Sequence, residues 1–362
     1  MVSIYNNRSN NKIYIKNILK LAGGTALGQG IVVIASPLLT RLYNPDDFGI
    51  LSIYVSILSI FVVISGMRYE LAIPLPDDDN DSINLVFLTV IIVVLSSLLL
   101  LIVTYLFSSY IQKNISIDVG YYFYWLLPFS LLGAGLYNTF NFWAIRKGYF
   151  DLIARTKVRQ SVTQIFVQVL CGFFNIGTIG LLIGDFLGRA GGSGKLIFSF
   201  INEEKALFRH FSLSLLRKLS IEYKKYPLLS TWGGLLNSLG LQMPVIGCIL
   251  LYGPSIAGFY SLTQRVIGMP LNLIGQSVSQ VYVNNLIKLI HERPIEITAF
   301  FLRNVKFLFL ISSIPILVLM IFGPWIFEVV FGAAWRESGL YLRLLGLMYI
   351  GQFAIVPLSQ TL

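Results

Sequence analysis

The chain has 362 residues, 56% of them apolar and only 12% charged, with a mean hydropathy of +0.75 and a formal net charge of +10. A soluble domain carries about 25% charged residues, so this composition excludes an ordinary soluble enzyme and predicts a multi-span membrane protein. Nucleic acid, the usual partner of so basic a soluble chain, is not expected, because the positive charge is partitioned between connections rather than gathered into a patch.

Apolar runs of spanning length fall at 21–42, 48–66, 83–107, 121–145, 158–175, 178–200, 227–251, 256–283, 304–326 and 339–362. Residues 1–20 are polar and basic and the first run is too long for the core of a signal peptide, so no cleavable secretion signal is expected. The connections alternate in charge. Twenty basic residues collect on one side, from Arg8, Lys12, Lys16 and Lys20, Arg68, Arg146 to Arg159, Lys205 to Lys225 and Lys288 to Lys306. The other side holds only Arg41, Lys113 and Arg336, which puts the N-terminus in the cytoplasm.

Two of the connections have a character of their own. Residues 201–226 interleave Lys and Arg with Phe208, Phe211, Leu215, Leu216 and Leu219, the pattern of an amphipathic helix lying on the cytoplasmic surface. Asp77, Asp78, Asp79 and Asp81 form an acidic loop that reads as a solvated turn rather than a cation cage.

The run from Leu21 to Tyr54 returns, more faintly, 209 positions later from Ser230 to Thr263. Gly24 falls on Gly233, Leu27 on Leu236, Leu42 on Leu251, Tyr43 on Tyr252, Pro45 on Pro254, Gly49 on Gly258 and Ser52 on Ser261. Each copy is an apolar run, then Leu-Tyr-x-Pro-x-x-x-Gly, then a second run, which is a membrane hairpin turned by proline. Six spans separate the starts of the copies, so both hairpins point the same way and the repeat is parallel, with a cleft between the halves. The expected fold is therefore all-α: a polytopic membrane protein of about ten transmembrane helices in two pseudo-repeated bundles. Residues 1–200 form a six-helix bundle, 201–226 a linker and 227–362 a second bundle of four, which reads as truncated or divergent at its C-terminus.

Little in the chain looks catalytic, and no enzyme, cofactor or metal site is expected. Cys171 and Cys248 lie inside apolar runs and read as buried thiols. His210 and His291 lie in connections without a paired nucleophile. The stretch GRAGGSGK from Gly188 to Lys195 falls short of a phosphate loop, with Arg189 in place of the first glycine and Leu196 after the lysine. Its glycines are better suited to close helix packing, as are Gly24 and Gly28.

The informative residues are charges inside or at the edges of spans, where an arginine costs about 2.5–3.5 kcal/mol and needs a wet cavity or a partner. Arg265 is the clearest case, about ten residues into its span with no acid within a helical turn. Asp185 and Arg189 are four apart on one face and read as a mutually neutralising pair or as an ion-coupling carboxylate. Arg41 and Arg68 bracket the first hairpin near Asp46 and Glu70, and Arg146 ends the fourth span as a basic anchor. Asn138, Asn141, Gln164, Gln168, Gln276 and Gln280 add amides suited to interhelical bonds or to a sugar.

Four stretches, PLLTRLYNPDDFG at Pro37 to Gly49, RYELAIPLP at Arg68 to Pro76, GFYSLTQRVIGMPLNLIGQSVSQ at Gly258 to Gln280, and FGAAWRESGLYLR with PLSQ at Phe331 to Arg343 and Pro357 to Gln360, make the chain resemble the O-antigen flippases. These are oligosaccharide-lipid translocases of the multidrug/oligosaccharidyl-lipid/polysaccharide exporter superfamily. The resemblance implies two bundles flanking a cationic cavity, alternately open to each side of the bacterial inner membrane. It implies as cargo an oligosaccharide on undecaprenyl diphosphate. Other implied partners are membrane lipids, a coupling proton or sodium ion, and polysaccharide polymerase machinery. Arg265, with Arg41, Arg68 or Arg146, is expected to bind the diphosphate, and Asp185 or Glu70 to couple an ion. Three alternatives stand beside this: a same-fold exporter of a drug or peptidoglycan precursor, a membrane polysaccharide polymerase or ligase, and a non-transporting scaffold.

Overall fold

The computed structural model of the protein describes residues 8–114, 121–205, 208, 211–292 and 296–359. Twelve helices and no strand occur among these residues. They are α1 (Arg8–Leu42), α2 (Pro45–Ser65), α3 (Asp79–Asn114), α4 (Tyr121–Arg146), α5 (Phe150–Phe173), α6 (Thr178–Glu204), α7 (Leu213–Glu222), α8 (Thr231–Tyr252), α9 (Pro254–Thr263), α10 (Met269–Glu292), α11 (Ile297–Phe331) and α12 (Arg336–Ser359). Every predicted span has its helix, with α9 and α10 forming a single crossing joined by a π turn, Gln264–Gly268. Six stretches are apolar and long enough to span by those criteria alone: Ala22–Leu42, Pro45–Ser65, Asp79–Phe107, Tyr226–Tyr252, Ile297–Phe331 and Ala333–Ser359. The remaining crossings, α4, α5, α6 and α9–α10, are interrupted by Tyr, Gln and charged residues. The protein is an all-helical, multi-pass membrane protein of about ten spanning helices.

The turns sort to two ends. At one end, called here the hairpin end, α2 opens with Pro45 at its first position and Asp46 and Asp47 in its first turn, where the missing N–H and the negative charge both suit a helix N-terminus. The Asn44 N–H donates to Asp47 Oδ2 at 3.0 Å. α9 opens in the same way, with Pro254 after Gly253, whose φ of +90° only glycine adopts cheaply. At the other end, the basic end, Arg146 and Lys147 meet Asp79 and Glu204, and Tyr69 Oη donates to the Ser220 carbonyl at 2.9 Å.

Small residues set the close approaches. A Cβ on Gly24 would lie 2.5 Å from Ala154 Cα, and one on Gly28 would lie 3.0 Å from Ser161 Oγ, so this G-x-x-x-G pair seats α1 on α5. Gly188 and Gly192 seat α6 on Gln164 and Gln160 of α5, whereas Gly194 faces open space. Only the glycines four apart therefore act as the sequence suggested.

Two expectations are revised in detail. The fifth span begins at Phe150, eight positions before 158. Gly148, at φ +74°, turns the chain sharply, and the Tyr149 N–H closes the turn on the Ala144 carbonyl at 2.8 Å. Arg155, Lys157 and Arg159 thus lie on α5 instead of in a connection. Arg155 and Arg159, one turn apart, are exposed, while Lys157 points the opposite way and rests 4.7 Å from the centre of the Tyr137 ring. The amphipathic connection condenses to the short α7, with Leu216 and Leu219 buried and Arg217 and Lys218 exposed.

The two copies of the sequence repeat meet each other directly. α2 packs on α9 at the hairpin end, where a Cβ on Gly49 would overlap the Pro254 carbonyl and a Cβ on Gly258 would overlap the Pro45 carbonyl. Gly49 and Gly258 are repeat equivalents, and so are Pro45 and Pro254. Each contact is therefore the other with the copies exchanged, the signature of a two-fold relation. Ser255 Oγ donates to Asp46 Oδ1, joining a third equivalent pair across the same axis. Within each copy the next equivalent pair repeats one bond: Ser52 Oγ to the Gly49 carbonyl at 2.7 Å, Ser261 Oγ to the Gly258 carbonyl at 2.9 Å.

Candidate functional site: a crevice between the repeats

Below that contact, towards the basic end, α2 parts from α8, α9–α10 and α12 to leave a crevice of ≈ 460 Å³. Phe48, Leu51, Val55, Leu241 and Val245 give it apolar walls, and Ser52, Ser56, Gln242, Gln264, Arg265 and Gln352 give it polar ones. The hairpin end above is closed. Phe48 packs edge-on against Trp335 with ring centres 4.9 Å apart, and Trp335 Nε1 donates to the Thr40 carbonyl at 3.0 Å, pinning the turn that leads into α12 to α1.

Among the described residues Arg265 is the only arginine or lysine lining the crevice. Its guanidinium stands 5.4 Å from the centre of the Phe48 ring, a cation–π contact made across the two repeats. Among the described residues it has neither an ion pair nor a hydrogen bond. Its partner in the repeat is Ser56, so the charge of the crevice comes from the second half alone. The π turn that carries Arg265 widens the helix there and opens its backbone ladder, a distortion that recurs at functional sites.

The other charges singled out in the sequence lie elsewhere. Arg41 is exposed at the hairpin end. Arg68, in the left-handed region with φ +61°, lies at the far end of α2, where its guanidinium packs against Gly234 of α8 and its buried Nε has no partner. Arg146 is tied to Asp79 Oδ1 at 2.9 Å and to the carbonyls of Pro74, Pro76 and Asp77. Asp79 is thereby drawn into an ion-paired knot with Arg146 and Lys147, while Asp77 and Asp78 remain exposed. Lys147 also bonds Glu204 at 2.9 Å; burial works against its ammonium, but these two carboxylates outweigh it and hold its pKa up.

Asp185 is buried and bonded by Arg189 Nε at 2.7 Å, with Gln164 Nε2 at 3.5 Å, the geometry of a neutralised pair. Glu70 is buried in a short 3-10 turn, and its Oε2 has no partner; burial pushes its pKa up, offset in part by its own backbone and by Arg68. No cluster of three metal-ligating side chains occurs among the described residues. His210 and the side chains of His291, Gln276 and Gln280 lie outside the described residues.

The structure thus brings Arg265 into the crevice, sets Arg68 against α8 at the basic end of the seam, and leaves Arg41 and Arg146 apart from both. Sequence reading missed Ser56, Gln242, Gln264 and Gln352. The repeat offset carried a usable signal, since it pairs Ser56 with Arg265, and Gln242 is one of only two amides, with Asn237, in the run 227–251.

Residues 38–339 match the family described as polysaccharide biosynthesis protein. The chain belongs to that family. No curated protein matches it. Among solved structures, this polysaccharide biosynthesis protein is similar to an inward-facing conformation of a multidrug resistance MATE family transporter of the MOP superfamily. That match has 14% identity and a TM-score of 0.58, and covers 94% of this chain and 81% of the other. A second similar structure is a MATE protein in the bent conformation, at 14% identity and a TM-score of 0.45 over 95% and 82% of the two chains. The first likeness shows the fold, which is like that of this transporter.

Proposed function

We propose that the protein moves an oligosaccharide carried on undecaprenyl diphosphate across the bacterial cytoplasmic membrane, N-terminus inside, for assembly of O-antigen or a similar surface polysaccharide. The observation that carries this reading is Arg265, a cation in a crevice between two like-oriented repeats that has no ion pair among the described residues, the buried Asp185 that acts on it through space being already paired with Arg189. Such a charge is costly at membrane depth unless an anion or water answers it. A guanidinium matches diphosphate oxygens in a bidentate fork and replaces the hydration that the headgroup loses on leaving water. The polyprenyl tail stays in lipid while the headgroup passes through the crevice.

In this reading the halves 1–200 and 227–362 rock about the α2–α9 contact, with 201–226 as their tether. Arg68 lies at the basic mouth of the seam and Arg41 near the opposite mouth, where each meets the headgroup on entry or exit; Arg146, saturated by Asp79 and carbonyls, anchors the basic end. Glu70, buried with an unpartnered oxygen, is favoured over Asp185 as the carboxyl that takes up a coupling proton.

The test is Arg265→Ala in the native host at equal membrane expression. Charge-assisted bonds are worth about 1.5–3 kcal/mol, so surface glycan is expected to fall roughly ten- to a hundredfold with growth and drug tolerance unchanged. Normal surface glycan would remove Arg265 from the proposal, and loss of drug tolerance or of growth instead would reassign the cargo to a drug or a peptidoglycan precursor.

A further inference from the structure

Two amides flank Arg265 on the crevice wall, and the protein has fixed them in opposite senses. Ser56 Oγ donates to Gln242 Oε1 at 2.9 Å, a bond between α2 of the first repeat and α8 of the second. Ser56 itself is only 1% exposed, so its hydroxyl belongs to the fold and is not offered to a ligand. With its oxygen engaged, Gln242 is left with two N–H donors that no described residue accepts, on a half-buried side chain lining the crevice. Gln264 is held the other way round. One of its two Nε2 N–H groups donates to Tyr260 Oη, so its carbonyl oxygen and its second N–H are left without a described partner.

A guanidinium between an amide biased to donate and an amide with a free carbonyl is a specific combination. Arg265 presents donors, Gln242 presents both of its N–H groups, and Gln264 presents an unused carbonyl acceptor beside one remaining N–H. A diphosphate uses the guanidinium but has no use for an uncharged acceptor, since its oxygens carry no hydrogen at neutral pH. Sugars carry both kinds of group side by side: hydroxyls, or an acetamido substituent with its C=O and N–H. Apolar cargo satisfies none of the three.

We infer that Gln242 and Gln264 read the sugar attached to the diphosphate, one sugar oxygen accepting from Gln242 Nε2 and one O–H or N–H donating to Gln264 Oε1. Ser56 is a positioning residue that sets the direction in which the Gln242 amide points. Specificity for the glycan thus begins beside the charge that holds its carrier. This assignment rests on the flippase reading, and goes beyond it by separating recognition of the sugar from recognition of the phosphate. It also gives the Ser56–Gln242 bond, which joins the repeats inside the crevice, a role that packing does not require.

The experiment measures binding by the full chain in lipid nanodiscs of two probes, undecaprenyl diphosphate and undecaprenyl diphosphate bearing one N-acetylglucosamine. The quantity read is the preference, the ratio of the two dissociation constants. The unaltered protein is expected to prefer the sugar-bearing lipid. Gln242→Leu is expected to reduce that preference about tenfold, and Ser56→Ala about threefold, as loss of one or two net hydrogen bonds predicts. Arg265→Gln is expected to weaken both ligands and keep the preference. Gln242→Glu preserves size and the bond from Ser56 but has no donor, so it reads the same loss of preference if the leucine variant does not fold. An unaltered preference in Gln242→Leu or Gln242→Glu, or no preference in the unaltered protein, would overturn the assignment while leaving diphosphate binding intact. Failure of the unaltered protein to bind either lipid would instead sink the flippase reading, and this assignment with it.

Discussion

Arg265 and Glu70 are opposite instances of one condition, a charged group placed where water is scarce. Arg265 faces a crevice large enough for a headgroup and is half-buried; Glu70 is buried among packed side chains with one oxygen unanswered. The consequence for Glu70 is a stability that depends on pH in a definite direction. Its carboxyl is raised above its ordinary value of 4.5 by burial, so the folded chain binds a proton more tightly than the unfolded chain does. Stability therefore falls as pH rises above the unfolded value, and recovers as pH drops towards it. Glu70→Gln, which removes the ionisable group and keeps the shape, is expected to raise the unfolding temperature in detergent by a few degrees at pH 8 and to leave it unchanged near pH 4. An equal gain at both values would show that the carboxylate carries no such cost.

Helices and their turns were the most legible level. Ten apolar runs gave ten crossings, because hydropathy reports what must face lipid or a neighbouring helix, and proline marked the openings of α2 and α9 at Pro45 and Pro254. The start of α5 was not legible, because Arg155 and Arg159 read as connection until Gly148 is known to turn the chain and to set Lys157 on the inner face. Equivalence of the two hairpins was readable from seven matched positions, but contact between them was not, since a repeat states likeness and not adjacency. That contact yields its own prediction. Gly49 and Gly258 each oppose a proline carbonyl of the other copy, so Gly49→Val or Gly258→Val must push the hairpin ends apart, at a cost of about 1–3 kcal/mol to the closed arrangement. A cysteine at position 255 is expected to react with a polar thiol reagent several-fold faster in either valine variant. An unchanged rate would mean that the two glycines do not set the closure.

For the molecule as a whole, the sequence made the membrane class, the parallel repeat and one of the crevice's polar residues readable. It did not reveal that Arg41, Arg68 and Arg146 stand away from Arg265, because spacing along a helix gives the depth of a residue and not the face of the bundle it meets. Nor did it single out Gln242 or Gln264, whose significance lies in which atom of each amide the fold has already used. The central claim is that the repeats part at the hairpin end so that what is held at Arg265 reaches the other side. Asp46 and Ser255, bonded to each other across the axis, allow that to be tested by replacing both with cysteine in a chain without Cys171 and Cys248. Translocation of an undecaprenyl-diphosphate glycan is measured in vesicles before and after the disulfide is formed. The account predicts that oxidation stops translocation and that reduction restores it; continued translocation by the fully cross-linked protein would contradict it.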